Sequence, residues 1–367
     1  MLKIVHIETG LHLYGGALQV KFLIEGLARQ GVHNTLICTQ GSAIADVFAD
    51  HPEVDVIPST CRGDLDVQFI FAVLYSLKTI KPDVVHLHSR RGADVLGGVA
   101  ARLAGIPAVL SRRVDNHEPR WWAAIKYRLY RQVITISEAI EQVLLTAGVP
   151  SAKLQCVHSS VDTHRYQPVP QPEAFNLFCQ QHKIPEGQRY VAMLAQFILR
   201  KGHDYFVEQI PAILEAHPDV VFVLFGQGPR HESVQAKVAR LGLVDRVKLP
   251  GFVERIDQLL PSFTAVVHPA YQEGLGVSLL QAAACAVPIV AARAGGIPEV
   301  ARDGVNALLF EPGDGHQLKN HLVNLLSDTQ QQQILGQAGR ALIEQHFSPA
   351  QMVAGNLAVY HDVINST

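Results

Sequence analysis

Short runs of consecutive apolar residues, rich in Val and Ile, alternate along the chain with longer stretches of helical period. In the first half the runs predict strands at Lys3–Ile7, Thr35–Cys38, Val54–Ile57, Val84–Leu87, Ala108–Leu110, Val133–Ile136 and Leu154–Val157. Between them, Ala17–Gln30, Leu65–Ile80, Ala93–Ala104 and Glu138–Ala147 read as helices. A run that is apolar at every position marks a strand covered on both faces, as in a parallel sheet. Strands separated by helices need crossover connections. The pattern therefore predicts an α/β fold with a doubly wound parallel sheet.

The segment Gln167-Pro168-Val169-Pro170-Gln171-Pro172 interrupts this rhythm. Three prolines in six residues make a stiff, extended connector and suggest a domain boundary. The alternation then restarts, with strands expected at Tyr190–Leu194, Val220–Phe225, Val247–Leu249, Ala265–Val267, Ile289–Ala291 and Ala307–Phe310. Helices are expected at Tyr205–Ala216, Ser233–Leu241, Val277–Ala284, Gln317–Leu326, Gln330–His346 and Ala350–Ile364. This gives a first domain over 1–166, a second over 173–346, and a last helix, 350–367, read as packing back on the first domain. Open α/β sheets bind ligands beyond the carboxyl ends of their strands. Two such sheets facing each other would place a ligand in the cleft between them.

Composition narrows the function classes. The 367 residues are 48% hydrophobic and 17% charged, enough to bury a core without staples. Formal charge is −2, from 31 Lys and Arg against 33 Asp and Glu, which offers no general attraction to nucleic acid. The five cysteines are scattered, without a C-x-x-C pair, as in a reduced cytoplasmic compartment. The first residues turn polar too early for a signal peptide. The longest apolar run, Ala282 to Ala292, is too short to span a bilayer. Nothing in the sequence sets an oligomeric state.

Four glycine-containing turns follow predicted strands. Tyr14-Gly15-Gly16-Ala17 opens the first helix, where backbone N–H groups and the helix dipole favour an anion. A plain βα turn accounts for it equally well. Gln196-Phe197-Ile198-Leu199-Arg200-Lys201-Gly202 puts cations at a strand end, where Lys can balance a phosphate. A solvated basic loop is the other reading. His268-Pro269-Ala270-Tyr271-Gln272-Glu273-Gly274-Leu275-Gly276 is the most informative. It sets a carboxylate among orphan amides just before a helix that carries Gln281. Glu273 could accept bonds from sugar hydroxyls, and Gln281 from a second polyol such as ribose. Gly295-Gly296-Ile297-Pro298-Glu299 repeats the device and fits structure and ligand binding alike.

Other features are weaker. Asp64-Leu65-Asp66 looks like a metal-binding D-x-D, but acids before a helix commonly cap it. His86 and His88 share one strand face and could line a site or form a core pair. Pro119 to Ser137 holds four basic residues and no acidic one. Projected as one helix from Arg120 to Arg131, it groups Trp121, Trp122, Ile125 and Leu129, with Arg120, Lys126 and Arg128 beside or opposite them. Basic residues beside tryptophans suit an anionic lipid surface; a core-facing helix is the alternative.

In combination these residues resemble a known family. The chain is similar to retaining, nucleotide-sugar-dependent glycosyltransferases of the GT-B fold, of the bacterial cell-envelope family 4 type. The resemblance runs through Gly15-Gly16, Ser159-Ser160-Val161-Asp162, Lys201-Gly202, Phe225-Gly226-Gln227-Gly228-Pro229, Pro250-Gly251-Phe252, Glu273-Gly274-Leu275-Gly276 and Gly295-Gly296-Ile297-Pro298-Glu299. It implies that Lys201 binds the donor diphosphate with Gly15-Gly16 closing over it. Glu273 and the amides of Gly274, Leu275 and Gly276 would hold the transferred sugar. Gln281 would meet the ribose, and Gly226, Gly251 and Phe252 would border the base. No cofactor or metal is required in this family.

Three positions depart from the pattern. Gln196 replaces a usual Arg, Gln281 a usual Glu, and Arg113 stands where a His is common. Arg200 or Arg113 could compensate for the lost charge, and Arg113 could instead bind the acceptor, with His88 and Asp115 in the same region. The acceptor implied is a lipopolysaccharide, a lipid-linked sugar or a polysaccharide, reached at the inner face of the cytoplasmic membrane. A nucleotide-sugar epimerase on the same fold and a catalytically weakened donor-binding subunit are the competing readings.

Overall fold

The computed structural model describes residues 1–13, 15–88 and 92–366. Contacts divide it into two units, Met1–Ser160 with Pro349–Thr367, and Val161–Ser348. The first unit holds seven strands: β1 (Lys3–Glu8), β2 (His33–Cys38), β3 (Val54–Pro58), β4 (Val84–His88), β5 (Ala108–Arg112), β6 (Gln132–Thr135) and β7 (Leu154–Cys156). They form one sheet in the order β3-β2-β1-β4-β5-β6-β7, and its pairings are parallel.

The second unit holds β8 (Arg189–Leu194), β9 (Val220–Phe225), β10 (Val247–Gly251), β11 (Ala265–His268), β12 (Ile289–Ala292) and β13 (Ala307–Phe310). Their order is β10-β9-β8-β11-β12-β13, again with parallel pairings. Both units are doubly wound, Rossmann-like sheets. Strands β4, β9, β11 and β12 are buried at every residue, as continuous apolar runs require. In each sheet the winding reverses once, between β1 and β4 and between β8 and β11. That reversal opens a crevice at the carboxyl edge.

Local signals explain the helix starts. Asp66 accepts from the N–H of Phe69 at 3.3 Å and caps the helix Val67–Ile80. Ser137 accepts from Ile140 at 3.1 Å and caps Glu138–Thr146. Half of the D-x-D motif is thus a helix cap.

Three features differ from the sequence reading. The units divide after Ser160, not at the proline run, which lies inside the second unit. There Pro172 takes the first position of a helix, Pro172–Gln181, that the connector reading missed. Proline suits that position because its absent N–H would have no partner there. Residues 120–131 are also not one helix. The helix Arg120–Lys126 gives way to a 3-10 turn, Tyr127–Leu129.

The last helix, Pro349–Asn365, belongs to the first unit and packs with the helix Gly15–Ala28. Met352, Val353, Val359 and Tyr360 join Ile4, Leu23, Val84, Val109 and Ile134 in one core cluster. At Gly26 the packing leaves no room for a side chain, since a Cβ would fall 2.3 Å from Val353 Cγ2. Among the described residues no helix is long and apolar enough to cross a membrane.

Candidate functional site

The loops that follow β8 to β12 are knitted together at the carboxyl edge of the second sheet. Ala195 donates to the Phe225 carbonyl at 3.1 Å, Phe197 to Gln227 at 2.9 Å and Gly226 to Gly251 at 2.9 Å. Tyr271 donates to Arg200 at 2.8 Å and Gly296 to Glu273 at 3.0 Å. The loop 195–202 begins where β8 ends and the loop 269–276 where β11 ends, so they flank the switch point.

Lys201 closes the 3-10 turn Leu199–Lys201, and Gly202 follows at φ +75°. A Cβ on Gly202 would stand 1.9 Å from the Pro269 carbonyl oxygen. Glycine alone lets these two loops touch, and the touch brings Lys201 to Glu273. The Lys201 ammonium pairs with Glu273 Oε2, and both side chains are largely buried. His268, the last residue of β11, donates from Nε2 to the same oxygen at 2.8 Å. The other oxygen, Oε1, accepts from the Gly274 N–H at 3.2 Å. Burial alone would raise the Glu273 pKa. The His268 hydrogen bond and the Lys201 charge outweigh it and hold the carboxyl well below its usual range. Burial lowers the His268 pKa against the pull of Glu273, so the ring is a neutral donor.

The remaining predicted donor residues take different places. Gln196 and Phe252 are exposed on the loops after β8 and β10. Gly251 ends β10, and Gly226 follows β9. Arg200 is half-buried beside Lys201. Leu275 turns its side chain into the core, leaving only its backbone toward the turn. Gly276 precedes the helix Val277–Ala284, which carries Gln281. Gln281 Nε2 donates to Tyr166 Oη at 2.9 Å, a partner 115 residues away that no local pattern signals. The pair Gly295-Gly296 is explained by packing. A Cβ at either position would fall within 2.3 Å of the Glu273 or Gly274 carbonyl oxygen, so these glycines form the floor under the Glu273 turn.

The first unit has a different constellation at its own switch point. His6 on β1 lies in register with His86 on β4, and His88 with Ser111 on β5. The Asn34 side-chain oxygen accepts from His6 Nε2 at 3.1 Å. His6 Nδ1 is therefore the acceptor for His88 Nε2, also at 3.1 Å. His86 bonds Tyr360 Oη at 2.6 Å and Ser111 Oγ at 2.8 Å. Burial holds all three imidazoles neutral, with the His6 pKa lowered to about 4.

Arg113 follows β5. A Cβ on Gly16 would lie 3.7 Å from its Cδ, so the Gly15-Gly16 turn and Arg113 are neighbours. Tyr14, the residue before them, lies outside the described residues. Burial lowers the Arg113 pKa to about 10 against the pull of Glu8. Asp115 is half-buried on the same loop. Ligand atoms of the three histidines lie within 4.8 Å of one another. All but one of their ring nitrogens already have partners, and the Arg113 charge disfavours a cation beside them.

The basic aromatic segment needs a correction. Lys126 is buried, with Asp94 Oδ2 at 2.8 Å and Glu118 Oε1 at 3.0 Å. Two carboxylates draw its ammonium inward, so it cannot meet a lipid headgroup. Arg112 and Tyr127 complete this network on Glu118. Trp121 is 67% exposed and Ile125 56%, with Arg120 and Arg128 also at the surface. Trp122 is half-buried.

Two family models cover most of the chain. Glycosyltransferase Family 4 matches residues 14–165, and Glycosyl transferases group 1 matches 175–342. A GDP-mannose-dependent alpha-(1-6)-phosphatidylinositol monomannoside mannosyltransferase of Mycolicibacterium smegmatis is 30% identical over 66% of this chain and 67% of its own length. A UDP-Gal:alpha-D-GlcNAc-diphosphoundecaprenol alpha-1,3-galactosyltransferase of Escherichia coli is 24% identical over 89% of this chain and 88% of its own. The sulfoquinovosyl transferase SQD2 of Arabidopsis thaliana is 26% identical over 75% of this chain, which spans little more than half of that relative, 56%. Among solved structures, a glycosyltransferase of Rickettsia africae matches with a TM-score of 0.87 at 18% identity, covering 100% of this chain and 99% of its own. Anabaena HepE in complex with UDP and glucose matches at 0.85 and 21%, covering 99% and 100%.

Proposed function

The chain belongs to the GT-B glycosyltransferases, and on that premise we propose that it transfers a sugar from a nucleoside-diphosphate sugar to a cell-envelope acceptor. The transfer retains the anomeric configuration and uses no metal. One observation carries the reading: the buried Lys201 ammonium meets Glu273 and the Gly274 turn at the switch point of a doubly wound sheet. A cation beside backbone amides in such a crevice suits a diphosphate.

In the reaction the bond from sugar C1 to the diphosphate oxygen breaks, and its electron pair leaves with the phosphate. An acceptor hydroxyl oxygen bonds C1, and its proton passes to an oxygen of the departing diphosphate. Negative charge grows on the leaving group, where Lys201 and loop amides stabilise it in place of water. Glu273 holds hydroxyls of the transferred sugar, and Gln281 reaches the ribose. Gly226, Gly251 and Phe252 border the base. Arg113, with His88 and Asp115 in the same unit, serves the acceptor or the departing phosphate. We assign no protein nucleophile.

Two relatives are a phosphatidylinositol monomannoside mannosyltransferase and a GlcNAc-diphosphoundecaprenol galactosyltransferase. They support a lipid-linked acceptor for this chain, and we place it, with such an acceptor, on the inner face of the cytoplasmic membrane. Trp121, Arg120 and Arg128 would make the contact there.

Incubation with UDP-glucose, UDP-galactose and GDP-mannose tests the donor reading. Nucleotide release, by transfer or slow hydrolysis, supports it. A changed sugar without nucleotide release would identify an epimerase, and binding without turnover a donor-binding subunit.

A further inference from the structure

We propose that His268 is a positioning residue: it keeps Glu273 in place as a carboxylate while Lys201 leaves it for the donor diphosphate. The inference rests on the donor reading above and assigns a role that the glycosyltransferase pattern did not mark.

The Lys201 ammonium is neutralised by Glu273. A diphosphate can only recruit that ammonium by taking it from the carboxylate. A buried carboxylate deprived of its counter-charge either follows the lysine or takes up a proton. Both outcomes would spoil its hold on sugar hydroxyls. His268 prevents them because it grips the same oxygen as Lys201, Oε2, from the opposite kind of support. Lys201 sits on a loop turn. His268 ends a strand buried at every residue and paired on both sides, with β8 and with β12. Its ring cannot follow a ligand outward.

The donor is also of the right kind. The second ring nitrogen, Nδ1, is buried and has no hydrogen-bond partner among the described residues, so Glu273 alone fixes the proton on Nε2. A neutral N–H satisfies the carboxylate without adding a second cation beside the phosphate. The charged and titratable neighbours are Lys201 on the β8 loop, Glu273 on the β11 loop, and His203 at the start of the helix His203–Ala216.

The test compares wild type, His268→Leu and His268→Gln for binding of UDP and of GDP by calorimetry between pH 6 and 8, in buffers of different ionisation enthalpy. Gln keeps an N–H donor and Leu does not. In His268→Leu, Glu273 should take up about one extra proton as Lys201 departs. As pH rises, affinity then falls up to about 10-fold per pH unit more steeply than in wild type. His268→Gln should restore the wild-type slope. A His268→Leu slope and proton count equal to wild type would overturn the role, as would equal losses in both variants, which indicate packing alone.

Lys201→Ala runs in parallel. Unchanged nucleotide affinity there overturns the diphosphate reading itself, whatever His268 does. If His268→Leu does not fold, side-chain nitrogen NMR of wild type decides. The His268 Nε2–H signal should stay hydrogen-bonded when UDP or GDP saturates the site, and its loss would refute the proposal.

Discussion

The two switch points occupy the same place in two sheets of the same winding, yet their chemistry differs. Between β1 and β4 the first unit buries neutral imidazoles whose tautomers run from Asn34 through His6 to His88. Between β8 and β11 the second unit buries an ion pair, Lys201 with Glu273, steadied by one imidazole. Topology chooses where a crevice opens, while side chains of the strand ends and loops choose what enters it. A neutral cluster responds to protons. A compensated cation responds to an anion that can replace its partner.

Acid should break the comparison most strongly. Each of His6, His86 and His88 protonates near pH 6.5 when unfolded and only well below that when folded. The stability each contributes is present above 6.5 and lost as pH falls toward the folded value. For His6, whose pKa drops to about 4, the loss is on the order of 3 kcal/mol. Glu273 behaves differently, because its folded pKa is depressed. Its contribution is kept until pH falls below the ordinary carboxylate value of about 4.3. His203 and His268 of the second unit are depressed by burial as well, so both units weaken in acid. The first sets three such imidazoles against two, and hydrogen exchange followed from pH 7 to 4.5 should show it loosening first. Simultaneous loosening of both units would contradict the assignment.

Substitutions sharpen the contrast. Lys201→Ala should lower turnover roughly 100-fold or more, the cost of losing one preorganised electrostatic donor. A variant with near wild-type turnover would remove Lys201 from the mechanism. Glu273→Gln should impair sugar turnover more than UDP or GDP affinity, and an equal loss in both would contradict its role. The Trp121→Ala/Trp122→Ala double variant should lose sedimentation with anionic liposomes, and Trp121→Ala alone, at the exposed position, should weaken it while the melting point changes little. Unchanged sedimentation would count against the membrane surface. Tyr166→Phe is expected to have the smallest effect, about 1 kcal/mol in melting experiments, for one lost hydrogen bond to Gln281.

Among the described residues the central strands were legible as apolar runs, because a strand covered on both faces leaves no polar alternation to confuse the reading. Strands β3, β7 and β10 are partly exposed and were marked by short runs alone. The glycine turns at 202, 274 and 276 were legible too, as backbone signals adjacent to strand ends. The Lys201–Glu273 pair, 72 residues apart in the chain, was not. Each partner could be named as a ligand group, but only the closeness of Gly202 to Pro269 shows that they neutralise each other. His268 was visible as a strand end and nothing more. The Arg120–Arg131 projection failed at Lys126 because period alone cannot foresee Asp94 and Glu118, which turn a basic residue inward. The proline run misled for a related reason, since proline both stiffens a connector and opens a helix.

Tyr360, bonded to His86 from the last helix, carries a consequence for biosynthesis. The first sheet's core lacks Met352, Val353, Val359 and Tyr360 until some 190 intervening residues have been translated. Val161–Ser348 can settle on the ribosome as a self-contained body, whereas the amino-terminal unit must wait with an open flank until the helix Pro349–Asn365 has emerged. A nascent chain arrested after residue 160 should accordingly be the form that chaperones hold.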